Sequence, residues 1–389
     1  MNAITSNFAG QKNNNQNYKY YMPTMVIFGK NCVKENSQLF TTLGKKALIV
    51  TGTQSAKRNG SEKDVRTALE TAGISYLVYD KVIANPTIAC VYEGAKIAKA
   101  NEVDFIIAIG GGSPMDAGKA IALLAAQDIT EENLFSGPYA ERVLPLAMIP
   151  TTAGTGSEVT QYSVLTNEKS QTKTSISSDL LFPRIAFLDA KYTVNLPAVI
   201  TINTALDALS HAIESMLSIR ASYLSNILAA DSIRILMDCI PDVLEAQKSE
   251  EGFHLAFETR EQLLLASTLA GIVIAQTGTT IVHSMGYSLT YFKNIDHGRA
   301  NALLLGEYLR LVNEVQPNLT ARILNAMNLS GLEAFATLID SLLGNREKLS
   351  PAEITQFSKI AVKAKNITNC IVQPNEEDIR RIYANSLLK

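Results

Sequence analysis

Residues 105–120, FIIAIGGGSPMDAGKA, run five apolar residues straight into three glycines and then into small and apolar residues at helical spacing. A short strand without polar alternation is buried on both faces, as strands inside a parallel sheet are. Parallel neighbours need long crossovers, normally helices, so this stretch commits its surroundings to alternating strands and helices. The neighbouring sequence complies. ALIVT (47–51), ISYLVY (74–79), LAMI (146–149) and IAFL (185–188) read as further buried strands. Between the first two, SEKDVRTALETAG reads as a helix opened by a Ser61–Asp64 capping box and stopped at Gly73. The pattern predicts a doubly wound α/β unit with a parallel sheet over residues 21–195.

After about Asn195–Pro197 strand candidates stop and long 3.6-period apolar stretches take over, which predicts an all-helical unit over residues 196–389. A chain of 389 residues is too long for one hydrophobic core, in keeping with two units. Residues 1–20 are Asn-rich and read as a polar extension without a basic-then-apolar leader. The most apolar run, LLLASTLAGIVIA (263–275), is too short to span a bilayer and reads as a buried helix. A net charge of −2 argues against nucleic-acid and anionic-membrane partners. Cys32, Cys90, Cys239 and Cys370 are far apart and form no CxxC pair, so a soluble protein of the reducing cytoplasm is expected.

Two turns leave the same predicted sheet edge. In the first, Pro114 suits the first helical position, Ser113 the N-cap, and Asp116 would close a capping box. Gly110, Gly111 and Gly112 let the backbone approach a ligand, and the N–H groups of a helix start attract an anion. A dinucleotide pyrophosphate suits such a place. The plainer alternative is a tight strand–helix turn holding nothing, since the stretch is not GxGxxG. The second turn, IPTTAGTGSEVT (149–160), offers the hydroxyls of Thr151, Thr152, Thr155 and Ser157 to phosphate or carboxamide. Two turns on one edge favour a cofactor site.

The chain has four histidines, and three fall in two short motifs. In DALSHAIE (207–214) Asp207 and His211 are one helical turn apart and project the same way. In TIVHSMGYSLTYFKNIDHG, His283 and His297 are fourteen residues apart, a separation that a helix and a loop can fold back. One carboxylate and three imidazoles suit Fe²⁺ or Zn²⁺ with positions left open for substrate. A lone buried histidine is usually a packed core residue, but three with an aspartate at i−4 are not so explained. His254 reads as a surface or packing residue.

Together GGGSPMDAGKA, IPTTAGTGSEVT, DALSHAIE and AQTGTTIVHSMGYSLTYFKNIDHG resemble the iron-containing (group III) alcohol dehydrogenases, in that family's order and spacing, from about Met22 to the last helices. The resemblance implies a Rossmann-like N-terminal unit, an all-helical C-terminal unit and a cleft between them, a metal on Asp207, His211, His283 and His297, and the cofactor pyrophosphate on Gly111, Gly112 and Ser113 with Asp116 nearby. It further implies contacts from Thr151, Thr152 and Thr155, with Tyr162 and Lys173 beside the nicotinamide ribose, and a homodimer or larger assembly. One departure stands out: many members carry a histidine four residues after the third ligand, where this chain has Tyr287. A pocket wall is expected there, with the proton leaving through water or the ribose hydroxyls.

The first strand ends in ALIVTGTQSAKRNG, with no carboxylate at its tip to hold a ribose 2′-hydroxyl. Gly52 and Ser55 leave room, and Lys57 or Arg58 can meet a 2′-phosphate, which resembles the family's NADP-preferring branch. Asp80, ending the second strand, is the competing signal for NAD. NADP(H) is therefore expected in preference to NAD(H), in reversible hydride transfer with a small, uncharged alcohol or aldehyde. A dehydroquinate synthase or polyol-phosphate dehydrogenase of the same fold would need a basic cluster, and only Arg299 and Lys293 stand near the ligand motifs. A non-catalytic metal-binding assembly protein would have no reason to face two glycine-rich turns toward a metal.

Overall fold

The computed structural model describes residues 17–250 and 252–388, so most of the polar extension expected over residues 1–20 lies outside the described residues. Eight strands are described: β1 (Met25–Phe28), β2 (Lys46–Gly52), β3 (Ser75–Val82), β4 (Phe105–Gly110), β5 (Leu146–Pro150), β6 (Tyr162–Asn167), β7 (Thr172–Ser177) and β8 (Ile185–Leu188). Six form one parallel sheet in the order β1-β8-β5-β4-β2-β3. The five strands expected from sequence are all in it. Helices α1 (Ser61–Thr71), α2 (Ile88–Ala100) and α3 (Gly112–Ala126) supply the crossovers.

Alternation within the buried strands feeds two cores. Leu48, Val50, Ile106, Ala108 and Met148 face Val91, Ala95 and Ile121 of α2 and α3. Ala47, Ile49, Ile107, Ile109 and Phe187 face Phe40, Val65 and Leu69 on the other side. With helices on both faces, β4, β5 and β8 have no exposed residue. The outer strands β1 and β3 are partly exposed, as edges are.

Two features depart from the sequence expectation. The edge strand β1 and the antiparallel hairpin β6–β7 were not anticipated. MVIF is only one short run, and YSVLTN and TKTSIS are rich in Ser and Thr, so neither carries a buried-strand signature. The two predicted capping boxes are also absent. Ser61 lies inside α1 behind Gly60 and bonds Asn59 Oδ1 at 2.6 Å, while Asp64 pairs with Lys191 at 2.7 Å and Lys34 at 2.8 Å. Tertiary partners displaced the local cap.

Beyond Leu196 the chain is helical: α4 (Ala198–Met216), α5 (Tyr223–Lys248), α6 (Phe257–Thr277), α7 (Ile281–Lys293), α8 (His297–Val315), α9 (Pro317–Ala326), α10 (Leu332–Leu343), α11 (Pro351–Ala361) and α12 (Glu376–Leu387). From Ala205 to Met216 every residue of α4 is buried, because α5, α6 and α8 surround it. Among the described residues no single helix is long and apolar enough to cross a membrane, and the apolar run 263–275 lies within α6.

The glycines of the second turn dock the sheet onto these helices. Gly156 sits at φ 60°, and a Cβ there would lie 2.4 Å from the Cα of Gly271 in α6. Gly156→Ala combines a left-handed backbone with overlap against main chain. It is expected to cost about 3 kcal/mol and lower Tm by roughly 4 °C. A calorimetric scan of the variant checks this.

Candidate active site

The hairpin β6–β7, the start of α3, the second turn and helices α4, α7 and α11 enclose a cleft of about 1670 Å³. That exceeds the roughly 300–1,000 Å³ usual for one small ligand and leaves room for a dinucleotide beside a substrate. Gly112, Ser113, Asp116, Thr155, Tyr162 and Lys173 line it, as do Asp207, His211, His283 and His297. Gly52, Ser55, Gly111, Thr151 and Thr152 do not line it.

At the sheet-edge end of the cleft, α3 begins at Gly112, with Gly111 as N-cap and no side chain capping it. The predicted Ser113 cap is therefore replaced: Ser113 Oγ accepts the Asn85 N–H at 3.1 Å, and Asp116 accepts from Ser157 Oγ at 2.8 Å. Pro114 is the third helical residue rather than the first. The result is a fifteen-residue helix whose first N–H groups have no side-chain partner, an anion-binding end. Thr152 and Thr155 pack where Cβ atoms on Gly111 and Gly112 would stand, at 3.1 and 2.9 Å. The Thr152 hydroxyl is buried without a partner among the described residues. Bare amides and an orphan hydroxyl around side-chain-free backbone fit a pyrophosphate cradle.

Sequence reasoning missed the lysine that braces this region. Lys119 is wholly buried and donates to Ser157 Oγ (2.8 Å), Thr160 Oγ1 (3.1 Å) and the Tyr162 carbonyl (2.8 Å), tying α3 to the second turn and the hairpin. Burial lowers its pKa to about 8, and burial likewise raises that of Asp116. Lys173, across the hairpin register from Thr166, is lowered to about 8 by burial. At the tips of β2 and β3 the two competing cofactor signals neutralise each other: Lys57 Nζ pairs with Asp80 Oδ2 at 2.6 Å, both exposed.

At the other end, ligand atoms of Asp207, His283 and His297 all lie within 4.8 Å of one another. Asp207 Oδ1 is 3.7 Å from His283 Nε2 and 3.9 Å from the Nε2 atoms of His211 and His297. Asp207, His211 and His283 are buried, whereas His297 keeps 26 % of its side chain exposed toward the cleft. The second pair reaches the first because Gly298 has no side chain. A Cβ there would stand 2.8 Å from Asp207 Cβ and closer still to the Asn203 carbonyl. Asn203 Nδ2 also holds Asp296 at 2.7 Å, directly before His297.

Glu214 orients His283. It is fully buried, takes the Thr280 N–H (2.9 Å) and hydroxyl (2.5 Å), and hydrogen-bonds His283 Nδ1. That contact makes Nδ1 the donor and leaves the Nε2 lone pair facing Asp207. Burial opposes charge on both partners, but their mutual attraction prevails: the Glu214 pKa falls and the His283 pKa rises. For His211 and His297 burial prevails and lowers the pKa, keeping both imidazoles neutral and free to ligate. Glu214 was legible in principle, since it closes DALSHAIE one turn beyond His211.

Tyr287 lies flat against His297, with centroids 5.4 Å apart and 20° between planes, and burial raises its hydroxyl pKa. His254 is exposed and outside the cleft. Arg299 is engaged by Glu347 and the Leu343 carbonyl, and Lys293 by Glu353. The cleft nonetheless has cations that the motif neighbourhood did not reveal: Arg220, Lys359, Lys363 and Lys365 arrive from segments remote in sequence.

The chain is similar to known proteins over nearly its whole length. Among curated relatives, the NADPH-dependent butanol dehydrogenase of Clostridium saccharobutylicum is 29% identical over 364 residues, 91% of this chain and 90% of that one. The 1,3-propanediol dehydrogenase of Citrobacter freundii is 30% identical over 389 residues, 94% of this chain and 98% of that one. A solved iron-containing alcohol dehydrogenase from Thermotoga maritima superposes with TM-score 0.87 at 35% identity, covering 95% of this chain and 99% of that one. The description iron-containing alcohol dehydrogenase matches residues 23–190, and that of the C-terminal part of the Fe-containing alcohol dehydrogenase family matches 201–387. With both halves matched and the same fold throughout, the chain belongs to the iron-containing alcohol dehydrogenase family.

Proposed function

We propose that Asp207, His211, His283 and His297 hold one divalent cation, Fe²⁺ or alternatively Zn²⁺, and that this centre interconverts a small uncharged primary alcohol and its aldehyde with NADP(H) in preference to NAD(H). The observation that carries the reading is the convergence of one carboxylate and the imidazoles of His283 and His297, with His211 beside them, on the cleft into which the bare end of α3 opens. Such a donor set suits either metal. When bound, the cation supplies Lewis acidity, which favours alkoxide over alcohol and polarises a carbonyl.

The chain's own residues do the positioning. Gly111, Gly112 and Ser113 take the pyrophosphate with Asp116 nearby, the second turn contributes Thr151, Thr152 and Thr155, and Tyr162 with Lys173 stand at the nicotinamide ribose. Gly52 and Ser55 leave room at the adenosine ribose, and Lys57 exchanges Asp80 for a 2′-phosphate. Arg220, Lys359, Lys363 and Lys365 at the cleft suit a polyanionic dinucleotide, while Arg299 and Lys293, beside the ligand motifs, are engaged by Glu347 and Glu353 rather than held for a charged substrate. This favours dehydrogenase chemistry over a synthase of the same fold. The cleft then lies between an α/β unit of residues 21–195 and a helical unit of 196–389, in a cytoplasmic homodimer or larger assembly.

The reading is tested by stripping the protein with a chelator and following NADPH oxidation with butanal. Activity should vanish on stripping and return with Fe²⁺ or Zn²⁺, whereas full turnover by metal-free protein would refute it. Lys57→Ala should lower the NADPH-to-NADH ratio of kcat/KM about tenfold, a loss of roughly 1.4 kcal/mol. Tyr287→Phe keeps the ring on His297, so kcat should stay within about threefold, or under 1 kcal/mol. A collapse of kcat with metal and cofactor still bound would make the phenol an acid–base group instead.

A further inference from the structure

One buried side chain beside the ligands has been left without a role. Asn301 lies one turn after His297 on α8, so the two project from the same face. It is wholly buried. Its carboxamide nitrogen stands 3.1 Å from Asp207 Oδ1, 3.2 Å from His283 Nε2 and 3.3 Å from His297 Nε2. The carboxamide oxygen has no hydrogen-bond partner among the described residues and rests against Gly286 of α7, where an added Cβ would overlap it at 2.1 Å.

This orientation is dictated by its neighbours. Exchanging nitrogen and oxygen would aim amide lone pairs at a carboxylate and two imidazole nitrogens whose own lone pairs face the same point. With nitrogen inward, an N–H₂ group presents its positive end to three electron-rich atoms. Without such a group nothing would offset the repulsion between the Asp207 oxygen and the neutral His297 nitrogen, 3.9 Å apart. Asp207, His211, His283 and His297 line the cleft and Asn301 does not, so the amide closes the side of the ligand set turned away from solvent.

We propose that Asn301 is a positioning residue for the cation, resting on the metal reading above. Its amide holds Asp207, His283 and His297 convergent before a cation arrives. It then keeps a hydrogen bond to Asp207 Oδ1, whose second lone pair stays free for it. Gly286 is the complementary half of this device, leaving the space in which the amide lies. The orphaned oxygen is the cost of turning the nitrogen inward.

The test uses Co²⁺ as probe, titrated into metal-stripped full-length protein against a competing chelator, with its visible absorption reporting coordination. Wild type should bind one equivalent. Asn301→Ala should bind about 10- to 100-fold more weakly. Asn301→Leu fills a similar volume without a donor, should show the same loss, and serves if the alanine variant does not fold. Gly286→Ala, which displaces the amide while leaving Asn301 in place, should weaken binding as well. Affinity within about twofold of wild type in the leucine variant would mean that Asn301 only fills space, and would overturn the proposal. Failure of wild type to bind Co²⁺ would instead sink the metal reading itself.

Discussion

His297→Ala is expected to yield folded protein that has lost its metal and reduces aldehydes at least about 10³-fold less efficiently in kcat/KM. Of the four proposed ligands His297 is the cleanest to remove. It is partly exposed, and its Nδ1 has no partner whose loss would strain the core. Lewis-acid stabilisation of developing charge is worth several kcal/mol, and each 1.4 kcal/mol or so is tenfold in rate. Three remaining ligands leave a weaker site, so metal content after dialysis should fall with activity. Metal analysis beside NADPH-linked kinetics measures both. Retained activity with the metal gone would separate the cation from the chemistry.

Glu214→Ala should have the second largest effect, and for a different reason. Its carboxylate is buried without exposure and serves the Thr280 N–H, the Thr280 hydroxyl and His283 Nδ1 together. Alanine leaves those donors buried and unpaired, at a cost of about 3–5 kcal/mol in stability. It also frees the His283 ring to rotate or change tautomer, which should weaken metal binding about 10- to 100-fold. Glu214→Gln keeps an acceptor for Thr280, so it should recover most of the stability and less of the metal affinity. Urea melts with metal titrations on both variants separate the two effects. Equal metal affinity in all three proteins would show that Glu214 supports the fold alone.

What the sequence disclosed follows from where each signal is local. The central strands were legible because a strand buried on both faces must be apolar throughout, and FIIAI and LAMI are. The hairpin carrying Tyr162 and Lys173 was not, because its strands face a polar cleft and look like loop. Asp207 with His211 stood out through helical spacing, and the scarcity of histidine singled out the second pair. Glu214 shared the same octapeptide and still passed unnoticed, since a glutamate on a helix is usually solvated and only packing revealed that this face is enclosed. The capping boxes failed for the converse reason. Asp64 and Asp116 had local partners available, but Lys191, Lys34 and Ser157 came from distant segments and took them. Lys57 and Asp80 were read as rivals, and the fold makes them partners.

The central claim is that one cation sits among Asp207, His211, His283 and His297 at the cleft. Anomalous diffraction at the iron edge, from crystals grown with Fe²⁺, tests it directly. The account predicts one strong peak per chain within about 2.0–2.3 Å of a ligand atom from each of the four residues, the spacing of metal–nitrogen and metal–oxygen bonds. A peak elsewhere in the protein, or none among these side chains in metal-replete active crystals, would contradict it.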